Sequence, residues 1–338
     1  MKILIYIRDA EKNNAITYYV NIISSELSHN SNYQIEFINY IRDINPNDIV
    51  FVISLQSYFR LILKHPNQKI IFWFQGITPE EVATSYSGLY SKLKVPVFSI
   101  LEKIVLKKSI FNFFVSNSML NHYQIKYGYN KNNYMIMPCF NKAITPNSFY
   151  YNHKYESASF VYAGAVIKWQ CLDETVHLFS LLKDKLKNAT LTILSNDQQE
   201  IRPILKKYNI NAIIKYVPLE ELEEELAKYK YGFILRKDLK MNHVATPTKL
   251  NSYLANGVIP IYSDVIDDYN SLFINRSFYI KVNIDNLTKA IDDICTFEKK
   301  KIIVEDIYDE YSDIFNKYYN ETEYRMKIRN AINHFFPL

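Results

Sequence analysis

Residues 231–261 read YGFILRKDLKMNHVATPTKLNSYLANGVIPI, and the alternation in this stretch decides the fold. Tyr231–Leu235 is a short continuous apolar run, as in a strand covered on both faces. It ends at Arg236, and a polar loop follows. Pro247, Thr248 and Lys249 then open a segment with Leu250, Tyr253 and Leu254 at helical spacing, so Thr248–Asn256 is expected to be a helix. Gly257 closes that helix and Val258–Tyr262 is the next strand. The unit is βαβ, and its strands are parallel. Free N–H groups at such a helix N-terminus bind anions, the Thr248 hydroxyl adds a hydrogen bond, and Lys249 adds positive charge. These residues point to an anion site, phosphate first. They also read as an ordinary Thr-Pro helix cap with a solvated lysine.

Outward from this unit the same alternation fills the chain. In the first half, strands are expected at Ile3–Ile7, Gln34–Ile38, Ile49–Ile53, Ile70–Phe74, Phe111–Val115 and Tyr134–Met137, with helices such as Ala15–Leu27 and Ser118–Lys126 between them. In the second half they are expected at Ser159–Ala163, Ala189–Leu194, Ala212–Tyr216, Tyr231–Leu235 and Val258–Tyr262, with helices at Cys171–Leu186, Gln198–Tyr208 and Leu219–Lys228. The expected class is α/β, two doubly wound parallel-sheet domains. The expected organisation is a domain over 1–145, a polar linker over 146–158, a second domain over 159–304, and helices over 305–338 that pack back toward the first domain.

Only 6 of the 338 residues are glycine, where an average chain of this length carries roughly 24. No two are close enough to form GxGxxG, a P-loop or a G-x-S-x-G elbow, so any phosphate must be held by another device. Residues 1–150 carry 15 Lys+Arg against 9 Asp+Glu, so the net charge of +5 belongs to the first half. The segment 91–110 mixes Lys92, Lys94, Lys103, Lys107 and Lys108 with Val97, Ile100 and Leu101. It reads either as a surface for an anionic membrane or as a domain helix with a lysine-rich outer face. Cys139, Cys171 and Cys295 have neither metal-ligand nor disulfide spacing, which points to a reducing cytoplasm. The first residues read as a β-strand rather than a signal peptide, and no run is long and apolar enough to span a membrane. Neither a metal site nor a nucleic-acid partner is expected.

Arg236, Asn242, Ala245, Pro247, Thr248, Lys249, Tyr253, Leu254, Ala255, Gly257, Pro260 and Ile261 stand in the order and spacing of one known motif. The segment resembles the nucleotide-sugar-binding segment of GT-B glycosyltransferases, family 4 members of bacterial capsule and O-antigen type in particular. Residues 160–174 resemble the first strand and loop of the second domain in that group, residues 72–81 the first-domain loop that faces the donor sugar, and Val115–Ser118 the strand end after it. The resemblance implies two Rossmann-like domains facing a cleft. The implied reaction is metal-independent, retaining transfer of a hexosyl or N-acetylhexosaminyl group. The donor would be a nucleotide-diphosphate sugar, used as substrate with no cofactor, and the acceptor a glycan or lipid-linked oligosaccharide.

By the same resemblance, Lys168, Arg236, Thr248 and Lys249 would stabilise the leaving diphosphate, with Glu80 and Glu81 as the carboxylates near the sugar. Both glutamates also read as an ordinary Pro-Glu-Glu helix start. Gly164, Trp169, Gln170, Asn242, His243, Thr246, Pro247 and Ser252 would complete the donor site, and Asn13, Asn14, Gln75 and Gly76 the sugar and acceptor side. The chain departs from the family at several of these positions. Ser252 replaces a ribose-binding glutamate, and Asn242 and His243 occupy the loop of the first glutamate. Ala165 replaces an arginine whose charge passes to Lys168, Asn13-Asn14 replaces a Gly-Gly pair, and Gln75 replaces a histidine. These departures motivate two alternatives: a non-catalytic GT-B-fold binding or chaperone subunit, and a GT-B-fold sugar-nucleotide epimerase.

Overall fold

The computed structural model describes residues 2–11, 14–29, 33–86 and 88–335, with the side chains at 10, 14, 15, 43, 89 and 90 outside the description. The chain forms two compact units. The first is built from the residues up to Cys139, from Val244–Thr246 and from Asn320 onward. The second takes Phe140–His243 and Pro247–Tyr319.

In the first unit, β1 (Lys2–Tyr6), β2 (Gln34–Ile38), β3 (Ile49–Val52), β4 (Lys69–Phe74), β5 (Phe111–Phe114) and β6 (Tyr134–Ile136) make one parallel sheet in the order β2-β1-β3-β4-β5-β6. In the second, β7 (Ser159–Ala163), β8 (Thr190–Leu194), β9 (Ile213–Lys215), β10 (Tyr231–Ile234), β11 (Ile259–Ser263) and β12 (Ile280–Val282) make another, in the order β9-β8-β7-β10-β11-β12. The central strands are apolar and buried throughout, as parallel strands covered on both faces require. Each order reverses direction once, between β1 and β3 and between β7 and β10, and such switch points open a crevice at the C-terminal strand ends.

Aromatic rings fill much of both cores. Tyr19 and Trp73 stack 3.8 Å apart, and the Tyr19 hydroxyl donates to the Met137 carbonyl at 2.6 Å. In the second unit Phe160 stacks on Tyr231 at 4.9 Å and on Phe233 at 5.5 Å. Asn209, just past helix Gln198–Lys207, and Asn275 adopt left-handed backbone (φ 52° and 61°), a role glycine takes in most chains.

Several elements differ from the sequence reading. Strand β12 and helix Leu55–Lys64 are additional. The helix expected at Leu219–Lys228 spans only Leu222–Leu226, because the chain after Pro218 first closes a turn, with the Glu221 N–H donating to the Pro218 carbonyl. Residues 146–158, read as a linker, form helix Pro146–Phe149 and a run of turns in the second unit, where Lys154 donates to the carbonyls of Ser148 and Asn256.

Within the first unit, helix Glu321–Phe335 packs on helix Asn14–Ser28. The buried Glu26 carboxylate accepts from Arg325 at 2.9 Å and from Arg329. Burial alone would raise its pKa, but the two guanidinium groups outweigh it and hold the carboxyl below its usual range. A carboxylate lowered in the folded state stabilises above its unfolded pKa and loses that contribution as pH falls through the folded value. Glu26→Gln should cost about 1.5–3 kcal/mol at pH 7, the range for hydrogen bonds to charged groups. Thermal unfolding of both proteins checks this, and the difference should shrink as pH falls below about 4.3, the ordinary glutamate value, toward the lower folded-state pKa.

Candidate functional site

Strand β7 ends at Ala163, and Gly164 turns the chain with φ +142° while its N–H donates to the Leu194 carbonyl at 2.9 Å. A Cβ here would lie 2.7 Å from both Cε and Nζ of Lys249. Lys249 comes from the first turn of helix Thr248–Ala255, and its ammonium therefore rests on the Gly164 backbone. It donates to Gln170 Oε1 at 2.6 Å and lies 4.2 Å from the centroid of the Tyr162 ring. Burial, then the nearby Arg236 charge, push its pKa well below the ordinary lysine value.

Arg236 follows β10 and is buried. Its N–H donates to Ser263 Oγ at 2.7 Å, and Nη1 donates to the Leu235 carbonyl at 2.9 Å. Burial lowers its pKa too. Among the described residues neither Arg236 nor Lys249 has a carboxylate within 4 Å, although 22% of the sequence is charged. Burial disfavours both charges and Arg236 further disfavours that of Lys249, so this strand end carries positive charge that no carboxylate among the described residues balances. The site sits at the β7/β10 switch point, braced from behind by Tyr253. The Tyr253 hydroxyl accepts from the Ala163 N–H at 3.2 Å, and its ring covers Gly232.

The other donor-side residues fall in several places. Lys168 is exposed and Trp169 half-buried in the 3-10 turn Lys168–Gln170, which also presents Gln170 to Lys249. Thr248 and Ser252 are half-buried on the same helix as Lys249, with Ser252 Oγ donating to the Thr248 carbonyl at 3.4 Å. Pro247 caps that helix, and its carbonyl accepts from Tyr269 at 2.6 Å. Asn242 is buried and holds its own loop, donating to the Lys237 carbonyl at 3.0 Å. His243 is clasped between Asp238 (2.7 Å) and Asp267 (3.1 Å); burial lowers its pKa, but the two carboxylates outweigh that and raise it. The Thr246 hydroxyl is spent within the first unit, accepting from the Cys139 N–H and donating to the Val115 carbonyl.

The first unit carries a cavity of about 420 Å³ at the β1/β3 switch point. Its polar lining includes Glu11, Ser54, Gln75, Thr78 and Glu81, and Phe72 and Phe74 supply apolar wall. Glu81 lies against Gly76, whose Cβ would come within 1.9 Å of Glu81 Oε1. Burial raises the Glu81 pKa, and the neighbouring Glu80 adds to it. Glu80 is not in the lining; it pairs with Lys126 at 2.7 Å, with His122 at 3.6 Å. Asn13 lies outside the described residues, and Asn14 begins helix Asn14–Ser28 with its side chain undescribed.

Sequence reasoning missed Glu11, Ser54, Glu102, Tyr123 and Lys126. Glu11 had a usable signal, since it lies three residues after Arg8, just past a strand end. Arg8 binds it at 2.5 Å, and Ser54 and Ser57 donate to it. Burial pushes the Glu11 carboxyl up, but these bonds outweigh it and hold the pKa down.

No protein-family model matches the sequence, and no curated protein matches it. Solved structures do. Sucrose-phosphate synthase from Thermosynechococcus elongatus superposes with TM-score 0.72 at 9% identity, covering 99% of each chain. WaaG, a glycosyltransferase involved in lipopolysaccharide biosynthesis, gives 0.66 at 9% identity, over 97% of this chain and 99% of that one. A point mutant of S. aureus TarM, in complex with fondaparinux, alpha-GlcNAc-glycerol and UDP, gives 0.64 at 11% identity over 87% of this chain. The chain spans only 56% of the length of TarM. The fold is that of the GT-B glycosyltransferases, with two Rossmann-like domains.

If the paired cations await a diphosphate, binding one restores the Lys249 charge and takes up protons. Calorimetric titration with UDP in buffers of different ionisation enthalpy should show net proton uptake at pH values above the lowered Lys249 pKa, absent in Lys249→Met. Gly164→Ala forces a Cβ onto the Lys249 ammonium at a backbone angle L-residues rarely adopt, and should weaken UDP binding by about tenfold or more, roughly 1.4 kcal/mol.

Proposed function

We propose that this protein is a retaining glycosyltransferase that moves a hexosyl or N-acetylhexosaminyl group from a nucleotide-diphosphate sugar to a glycan or lipid-linked oligosaccharide acceptor in capsule or O-antigen synthesis. The observation that carries the reading is the uncompensated cation pair, Arg236 and Lys249, beside Gly164 at a switch point of a GT-B fold. In such a transfer the bond from the anomeric carbon to the diphosphate breaks and its electrons pass to the leaving phosphate oxygen. A bond then forms from an acceptor hydroxyl oxygen to the anomeric carbon, and that hydroxyl loses its proton. Arg236, Lys249 and the first-turn N–H groups of helix Thr248–Ala255 oppose the charge that grows on the diphosphate, the task a metal ion performs in other enzymes. Glu81 lines the first-unit cavity and has a raised pKa, which suits a group that takes or orients a hydroxyl proton. The polar lining of that cavity, Gln75 and Thr78 included, suits a hydroxyl-rich acceptor.

The reading extends to a cytoplasmic enzyme held at the inner face of a membrane. Helix Gly88–Lys108 leaves Leu93, Val97 and Ile100 exposed along one face, at 66%, 55% and 60%, with Lys103 and Lys107 exposed beside them. Apolar side chains enter the headgroup region while the lysines meet anionic lipid. No helix among the described residues is long and apolar enough to cross a membrane.

A panel of nucleotide-diphosphate sugars, assayed for nucleotide release and for binding, tests the central reading. One donor should turn over, and Lys249→Ala should lower kcat by about 100-fold or more, the usual effect of removing a group that stabilises developing charge. Glu81→Gln should lower it by roughly 100-fold. Binding without release from any donor, with acceptor glycans present, would point to a non-catalytic subunit. For the membrane part, the protein should sediment with phosphatidylglycerol vesicles but not with phosphatidylcholine ones, and Leu93→Ser/Val97→Ser/Ile100→Ser should abolish it. Equal sedimentation of that triple variant would contradict the docking face.

A further inference from the structure

Beneath the Gln75–Gly76 turn, the Tyr123 hydroxyl stands 3.2 Å from the Gly76 carbonyl oxygen and 3.2 Å from Glu102 Oε1. A phenol has one hydrogen, so it serves one of these acceptors at a time. Glu102 is wholly buried; its Oε2 accepts from the Tyr127 hydroxyl at 2.8 Å and lies 3.6 Å from Lys126 Nζ. Gly76 in turn supports Glu81, whose carboxylate rests on the Gly76 α-carbon.

We propose that Glu102 is a positioning residue for the Gln75–Gly76 turn. Protonated, it donates to the Tyr123 oxygen and frees the Tyr123 hydrogen for the Gly76 carbonyl. Ionised, it draws that hydrogen to itself and leaves the Gly76 carbonyl without it. No bond to carbon changes; one proton enters or leaves the carboxyl, and one hydrogen bond changes acceptor.

The surroundings place this exchange near neutrality. Burial raises the Glu102 pKa to about 7, with Glu80 adding to it and Lys126, Tyr127 and Tyr123 opposing. Burial beside Glu102 keeps both phenols well above their ordinary value, so they retain their hydrogens throughout. The facing groups come from two helices. Thr78–Ser85 brings Glu80 and Glu81, and Asn117–Tyr127 brings His122, Tyr123, Lys126 and Tyr127. Leu55–Lys64, which also packs on the Glu102 helix, brings no charged group within 4 Å of Glu102 among the described residues. On its own helix the adjacent Lys103 is exposed.

The switch can be read without turnover. Gly76-Ile77 is the one Gly-Ile peptide in the sequence, so protein labelled with carbonyl-carbon-13 glycine and nitrogen-15 isoleucine gives a single Gly76 carbonyl signal. In the wild type that signal should shift with pH, with a midpoint near 7. Glu102→Gln keeps a permanent donor toward Tyr123 and should freeze the signal at the wild-type low-pH position. Tyr123→Phe removes the donor and should freeze it toward the high-pH position. The other glycine carbonyls report whether each variant folds, and if Tyr123→Phe does not, the wild type and Glu102→Gln alone decide. A Gly76 signal that does not titrate between about pH 5.5 and 8.5, or one that still titrates in Glu102→Gln, would overturn the proposal. The link to activity rests on the transferase reading. There, acceptor KM should follow the same midpoint and be flat in Glu102→Gln, while a titrating carbonyl with no turnover on any donor would sink the transferase reading alone.

Discussion

Among the described residues, Arg236 and Lys249 share the end of the second sheet without a carboxylate within 4 Å to neutralise them, and much of that domain is arranged to permit it. Burial first, and the neighbouring Arg236 charge second, favour the neutral form of Lys249, which is why its pKa falls. The cost is limited by neutral partners, the Gln170 carbonyl oxygen and the Tyr162 ring face. Gly164 leaves room for the ammonium, and Gly232 leaves room for the Tyr253 ring that braces β7 against β10. A cheaper structure would have an aspartate here. Its absence among the described residues is the observation on which the proposed ligand site rests.

The shortage of glycine is consistent with this picture. The chain keeps glycine where a side chain would collide with the site, at 76 and 164, and uses asparagine at left-handed turns such as Asn209 and Asn275. Bulk is supplied by aromatic rings, which pack the two cores and also, through Tyr123 and Tyr127, line the buried wiring beneath the first-unit cavity. One phenol therefore does two jobs, filling volume and carrying a hydrogen bond to the Gly76 carbonyl.

The fold was largely legible because parallel strands are continuous apolar runs and the intervening helices have their own period. Eleven of the strands were placed this way; β12, a 3-residue edge strand interrupted by the exposed Lys281, was not. That Arg236, Lys249 and Gly164 come together was legible, because they lie at strand ends and a helix start that sequence order fixes. Placing His243 and Thr246 in the donor site rested on the resemblance of the loop that carries them. Their side chains are engaged elsewhere, by two aspartates and by backbone of the first unit, and nothing in local sequence announces such partners. Glu102 was invisible for a related reason. In sequence it is a charged residue in a lysine-rich amphipathic helix, and only tertiary packing buries it and brings the Tyr123 and Tyr127 hydroxyls to it.

The most direct test of the central claim is a crystal structure of the protein with UDP. The account predicts phosphate oxygens within about 2.7–3.1 Å of both the Arg236 guanidinium and Lys249 Nζ, directly over Gly164, with the Lys249–Gln170 bond lengthened or lost. UDP bound elsewhere, with Arg236 and Lys249 still facing each other unpaired, would contradict it.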